Sequence, residues 1–121
     1  MTIEPIDYKA PGSAEQFVRS LKETGFGVLR NHPINESLVN SIYEHWQSFF
    51  NSKEKLSYHY NIDTQDGFFP AEIAEVAKGH LAKDIKEYFH YYHWGQCPPE
   101  LKDELVEYYD STKAFANELL D

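Results

Sequence analysis

The side chains with the widest chemical reach in this 121-residue sequence are six histidines, at positions 32, 45, 59, 80, 90 and 93. Two of them, His90 and His93, stand in the stretch "KEYFHYYHW" from Lys86 to Trp94, among five aromatic residues. On a helix, residues three apart share a face and can chelate one ion. On a strand they point to opposite sides and cannot. The stretch is rich in Tyr and Phe and contains no Ala or Leu, so it reads as a strand. Tyr88, His90, Tyr92 and Trp94 then share one side, and Glu87, Phe89, Tyr91 and His93 the other. A metal held by both histidines is excluded on that reading.

Other constellations are equally incomplete. Non-haem iron commonly takes two His and one carboxylate. A strand-borne version needs the carboxylate two residues after the first His, so that both face the same way. No histidine here is followed at that distance by Asp or Glu. The single cysteine, Cys97, has no CxxC partner for zinc and no activating neighbour, and is expected to be inert. GxGxxG, GxxxxGK[ST] and GxSxG are all absent. Asp84 and Glu87 have the spacing of ordinary solvated carboxylates. Neither His90 nor His93 has the supporting groups of a general base. No metal ligand and no catalytic residue is therefore expected within residues 1–121.

The elements that must position the aromatic strand follow from pattern and punctuation. "PIDYKA" reads as a short first strand. Ser13, with Gln16 three residues on, has the form of a capping box before a helix whose stripe is Phe17, Val18 and Leu21. Gly25 fits the left-handed position past its end. "FGVLRNH" reads as a second strand, closed by His32-Pro33. Asn35 is a good N-cap for the most regular helix, with Leu38, Val39, Ile42, Trp46, Phe49 and Phe50 recurring at three and four residues. A helical turn is expected near "SKEKLSY", a turn and short extended piece at "NIDTQDGFFP", and polar, irregular or weakly helical chain from Ala71 to Asp84. Pro98-Pro99 opens a long helix, with Leu101, Leu105, Tyr108, Thr112, Phe115 and Leu119 as its expected buried face.

The bulk properties bound the rest. The length suits one domain. The formal net charge is −9 and no basic run occurs, so neither nucleic acid nor an anionic membrane is an expected partner. One cysteine, no apolar run near membrane-spanning length and no leader after Met1 suit a cytoplasmic protein. Aromatic residues make up 16% of the chain, and a strand aromatic on both faces is either interior or borders a ligand cavity. Three or four short strands cannot cover both faces, so this segment is expected to join a larger sheet.

In order along the chain, these pieces resemble the N-terminal region of the isopenicillin N synthase-like, Fe(II)- and 2-oxoglutarate-dependent dioxygenases. "PIDY" is similar to the family's opening strand and "GFGVLRNHPI" to its G-F-F-x-[VL]-x-N-H-G-[IV] strand. "SFFNSKEKLSY" resembles its F-F-x-L-P-x-E-x-K segment, "DGFFP" its G-Y-x-P, and "DIKEYFHYYHW" its D-x-K-E-x-[FY] strand. "PPELKDELVEYYDSTKAFANELL" resembles the helix that follows. Gly27 stands where the family has a second aromatic residue, Pro33 where it has glycine, and Ser52-Lys53 where it has Pro-Leu or Pro-Pro.

The resemblance implies an α+β fold of three to four short strands and three main helices. It would form the N-terminal part of a double-stranded β-helix, or jelly roll, as a single domain over residues 1–121. The C-terminal half of the same chain would be its partner and would carry the iron-binding H-x-D…H and the Arg-x-Ser that grips 2-oxoglutarate, neither of which occurs here. Fe(II) and 2-oxoglutarate would serve a longer parent, and residues 1–121 alone would be inactive. The parent would hydroxylate, desaturate or cyclise a small molecule, with Phe68, Phe69, Tyr88 and His90 as substrate-cavity residues. A stand-alone binding or self-association module derived from the same domain is the alternative.

Overall fold

The computed structural model describes residues 2–73 and 86–121. They form two compact units, one running to Ile34 and including Phe115–Asp121, the other Asn35–Ala114. Four short strands and three α-helices are found among the described residues, in line with the expected α+β composition.

In the first unit β1 (Ile6–Asp7) pairs in parallel with β2 (Leu29–Arg30). Ile6 stands opposite Leu29 and Asp7 opposite Arg30. A parallel pair needs a crossover, here α1 (Ser13–Thr24). The expected capping role of Ser13 needs correcting. Gly12 holds the cap position at φ 78°, and Ser13 opens the helix with its hydroxyl turned back to donate to the Tyr8 carbonyl at 3.2 Å. Gly25 is the left-handed cap that the sequence indicates, at φ 80°, its N–H reaching the Leu21 carbonyl at 3.0 Å.

β2 is shorter than "FGVLRNH" suggests. The Phe26 carbonyl is taken by the hydroxyls of Ser20 (2.7 Å) and Thr24 (3.2 Å) instead of a ladder. Asn31 leaves the strand at φ 57° and donates its side-chain amide to Asp7 at 3.1 Å. Gly27 has a packing reason: a Cβ added there would lie 2.2 Å from a ring carbon of Phe17. The aromatic residue missing at position 27 is thus replaced by one arriving from α1.

In the second unit Asn35 caps α2 (Glu36–Phe50), accepting from the amides of Ser37 at 2.9 Å and Leu38 at 3.4 Å. Leu38 and Ile42 of α2 meet Leu101 and Leu105 of α3 (Pro99–Leu120) in a buried cluster. Trp46, Tyr91 and Cys97 pack against it. The expected buried stripe of α3 is full only over its first two turns: Leu101 and Leu105 are buried, whereas Tyr108 is 37% exposed. A polar clamp stands beside this cluster, with Glu104 accepting from the Ser41 hydroxyl and facing His45 Nδ1 at 2.7 Å.

A 3-10 turn over Lys53–Tyr58, capped by Ser52, follows α2. Of the irregular segment expected from Ala71 to Asp84, Ala71–Ile73 form a 3-10 turn. The rest, with His80 and Asp84, lies outside the described residues. No helix among the described residues is long and apolar enough to cross a membrane.

Candidate functional site: an aromatic wall on a short antiparallel strand pair

β3 (Gly67–Phe69) and β4 (Tyr88–His90) pair antiparallel, with Gly67 opposite His90, Phe68 opposite Phe89 and Phe69 opposite Tyr88. Side chains alternate across a strand, so the pairing has two different faces. One face carries Phe68 and Phe89. It packs on Phe49, whose ring lies 6.5 Å from Phe68 and 5.5 Å from Phe89, and on Phe50 and Trp46. Phe49 and Phe68 are almost fully buried, at 1% and 2% exposure.

The other face carries Phe69, Tyr88 and His90. Phe69 stacks on Tyr88 at 4.8 Å and 10°, and its ring centre is 4.6 Å from that of His90. On the far edge of β3, His59 bridges to Phe68 and the Tyr60 N–H donates to the Phe68 carbonyl at 3.0 Å. This brings Tyr60 flat against Phe69, at 4.8 Å and 17°. Contacts from His90 to Tyr92 (6.3 Å) and from Tyr92 to Trp94 (4.6 Å, 6°) prolong the row. Offset and edge contacts at such separations add to the stabilisation by burial.

Of the four residues named as cavity candidates, the structure brings three together: Phe69, Tyr88 and His90. Phe68 is on the core side. The strand is also shorter than the sequence suggests. It stops at His90, and the Gly95 N–H closes a turn onto the Tyr92 carbonyl at 3.0 Å. The alternation of Tyr88, His90, Tyr92 and Trp94 survives as the ring contacts just described.

Two devices that sequence reasoning missed hold this wall. The first is Asp66, the buried acidic residue that precedes β3, at 4% exposure. Its carboxylate accepts from the Thr64 hydroxyl and, at 2.7 Å, from the Gln96 amide. These bonds, Thr64's first, outweigh burial and hold the carboxyl below its ordinary value. Gln96 completes the junction by donating its side-chain amide to the His59 carbonyl at 3.1 Å. Gly67, at φ 105°, lets the strands close here: a Cβ would stand 2.6 Å from Gln96 Nε2 and 2.7 Å from the Tyr58 carbonyl oxygen. The second device is Gln65, held left-handed at φ 63°, whose carbonyl lies 3.1 Å from His90 Nδ1. "DGFFP" advertised the turn, but nothing in it named a partner thirty residues away.

An open, mainly apolar groove of about 790 Å³ is lined by Tyr43, Trp46, Phe50, Phe89 and Tyr91 among others, and touches the wall at Tyr88. The described histidines are spread among separate tasks. His45 faces Glu104, His59 stacks on Tyr60 at 4.5 Å, His93 meets the Tyr109 ring edge-on at 4.2 Å, and His32 Nδ1 accepts from the Ile34 amide. Burial pushes the Cys97 thiol up, away from the reactive thiolate. Among the described residues no group of three or more His, Cys, Asp or Glu is placed to hold a metal ion. An iron centre therefore does not fit on them.

A family model described as non-haem dioxygenase in morphine synthesis, N-terminal, matches residues 4–112. The chain belongs to this family. The dioxygenase N-terminal domain is also similar to the proline hydroxylase buaE of Petromyces alliaceus, at 29% identity over 105 residues, covering 74% of this chain and 33% of the relative. Among solved structures it is similar to a "Putative oxygenase" from Shewanella oneidensis, at 55% identity and a TM-score of 0.87, covering 99% of this chain and 43% of that one. The chain thus spans about a third of the curated relative and under half of the solved one. In this dioxygenase N-terminal domain, the resemblance drawn from "GFGVLRNHPI" and "DIKEYFHYYHW" is borne out at the level of the family.

Proposed function

We propose that this domain is the structural and substrate-cavity part of a non-haem Fe(II)/2-oxoglutarate-dependent oxidoreductase that hydroxylates, desaturates or cyclises a small molecule. The observation that carries the reading is the wall of Tyr60, Phe69, Tyr88 and His90, built on a chain of the dioxygenase family with no metal cluster among its described residues. Small-molecule sites are mostly apolar with a few placed polar groups, which is the composition of this face. In this reading a C-terminal jelly-roll half of the same polypeptide closes the cavity and supplies the ligands for iron and 2-oxoglutarate. The enzyme is cytoplasmic. The residues of this domain orient the substrate and keep water away from it.

The name of the fungal relative makes L-proline the first substrate to assay. The test uses the native-length polypeptide. Tyr88→Ala, at a half-buried position of the same face, is expected to raise KM while iron content and 2-oxoglutarate affinity stay at wild-type levels. Loss of iron from this variant, or an unchanged KM for an accepted substrate, would refute the reading.

A further inference from the structure

The wall carries one polar group whose hydrogen-bonding state is dictated by its neighbour. His90 Nδ1 lies 3.1 Å from the Gln65 carbonyl oxygen. A carbonyl can only accept, so Nδ1 must carry the proton in that bond. In the neutral ring, Nε2 is then an acceptor with a lone pair. No described side chain bonds to Nε2, yet among the described residues no buried side-chain nitrogen or oxygen lacks a partner, so Nε2 is within reach of solvent. The carbonyl that fixes this state is itself held. Gln65 is in the left-handed region at φ 63°, its N–H bonds to the Asn61 carbonyl at 2.7 Å, and its side chain bonds to the Ile62 carbonyl at 2.6 Å. A non-glycine residue pinned in that conformation points to a positional requirement.

The surroundings narrow what Nε2 can meet. Phe69 is stacked between Tyr60 and Tyr88, so ring faces in the row are spent on each other and the wall offers ring edges. We infer that His90 is a specificity-determining residue of the proposed cavity. It accepts, at Nε2, a hydrogen bond from an N–H or O–H group of a compact substrate whose apolar side lies against Tyr88 and Tyr92. The inference rests on the cavity reading given above, and adds the class of substrate and the polarity of the contact.

The test labels histidine nitrogens with 15N in the native-length protein and identifies His90 by the signal lost in His90→Phe. The free protein is expected to show a protonated Nδ1 and an unprotonated Nε2, and added L-proline to shift the Nε2 signal. His90→Phe keeps a ring in the row and is expected to raise KM for L-proline about 10- to 100-fold, the effect of losing one substrate hydrogen bond, with kcat much less affected. His90→Gln, whose amide oxygen can reach the place of Nε2, is expected to restore most of the loss. A neutral ring with its proton on Nε2 instead of Nδ1, or a KM unmoved in His90→Phe, would overturn the assignment. A wild type that neither binds nor converts L-proline overturns the substrate contact assigned to His90, whereas an iron- and 2-oxoglutarate-binding defect in the wild type would overturn the cavity reading itself.

Discussion

Removing the Asp66 carboxylate is expected to loosen the junction that sets the aromatic wall. The carboxylate is buried, and it satisfies both the Thr64 hydroxyl and the Gln96 backbone N–H. Asp66→Ala leaves the half-buried Gln96 N–H without its partner, and the Thr64 hydroxyl, on an exposed residue, must turn to water. Bonds to a charged acceptor contribute about 1.5–3 kcal/mol each, and stranding a buried donor costs about 1–3 kcal/mol. The two losses overlap, so the variant is expected to lose about 2–4 kcal/mol. Asp66→Asn separates charge from geometry. Its oxygen can accept from Gln96 N–H while the Thr64 hydroxyl rotates to accept from the new NH2, leaving a loss of about 1 kcal/mol. The carboxyl is held below its ordinary value of 3.8 in the folded state. Its contribution is therefore fully present above the unfolded value and disappears as pH falls through the lower folded one. Urea denaturation of wild type and both variants at neutral pH and near pH 3 measures this. An Asp66→Ala variant within 0.5 kcal/mol of wild type, taking about 0.5 kcal/mol as the scatter of a neutral surface change, would refute the argument.

Phe49 is 1% exposed and meets the rings of Trp46, Phe50, Tyr58, Phe68 and Phe89. Phe49→Ala is expected to cost about 3–5 kcal/mol in the same denaturation assay. Gly27→Val would drive a side chain into the space of the Phe17 ring and is expected to cost about 1–3 kcal/mol, with Phe17→Ala on the same background recovering part of it. Glu104 is held below its ordinary value first by the Ser41 hydroxyl and then, against burial, by His45. Its support for the α2–α3 contact is present above the unfolded carboxyl value and fades as pH drops. Glu104→Gln is expected to cost about 1 kcal/mol at pH 7 and to flatten the acid limb of a thermal-stability profile.

What could be read directly from the sequence was whatever depends on near neighbours. Asn35 as a cap, Gly25 as a left-handed stop and Pro99 in a first helical turn are local choices with local physical causes, and all three are in place. The two-residue alternation of "KEYFHYYHW" placed Tyr88 and His90 together. It also means that the adjacent Phe68 and Phe69 cannot share a side: Phe68 packs on Phe49 and Phe50, and Phe69, buried as well, stacks between Tyr60 and Tyr88. Features that depend on distant partners were not legible. Asp66 is an ordinary turn residue until Gln96 arrives, Gly27 is unexplained until Phe17 fills its space, and Gln65 has no evident role until its carbonyl meets His90. Ser13 carried the right capping signal, but Gly12 reached the cap position first.

The central claim is that this domain shapes a substrate cavity while the iron and co-substrate ligands lie in a further part of the polypeptide. Anaerobic titration of Fe(II) in the presence of 2-oxoglutarate, on the native-length protein and on a folded segment of residues 1–121, tests it most directly. The account predicts stoichiometric binding by the native-length protein and none by the segment. Tight binding of both by the segment, or by neither form, would contradict it.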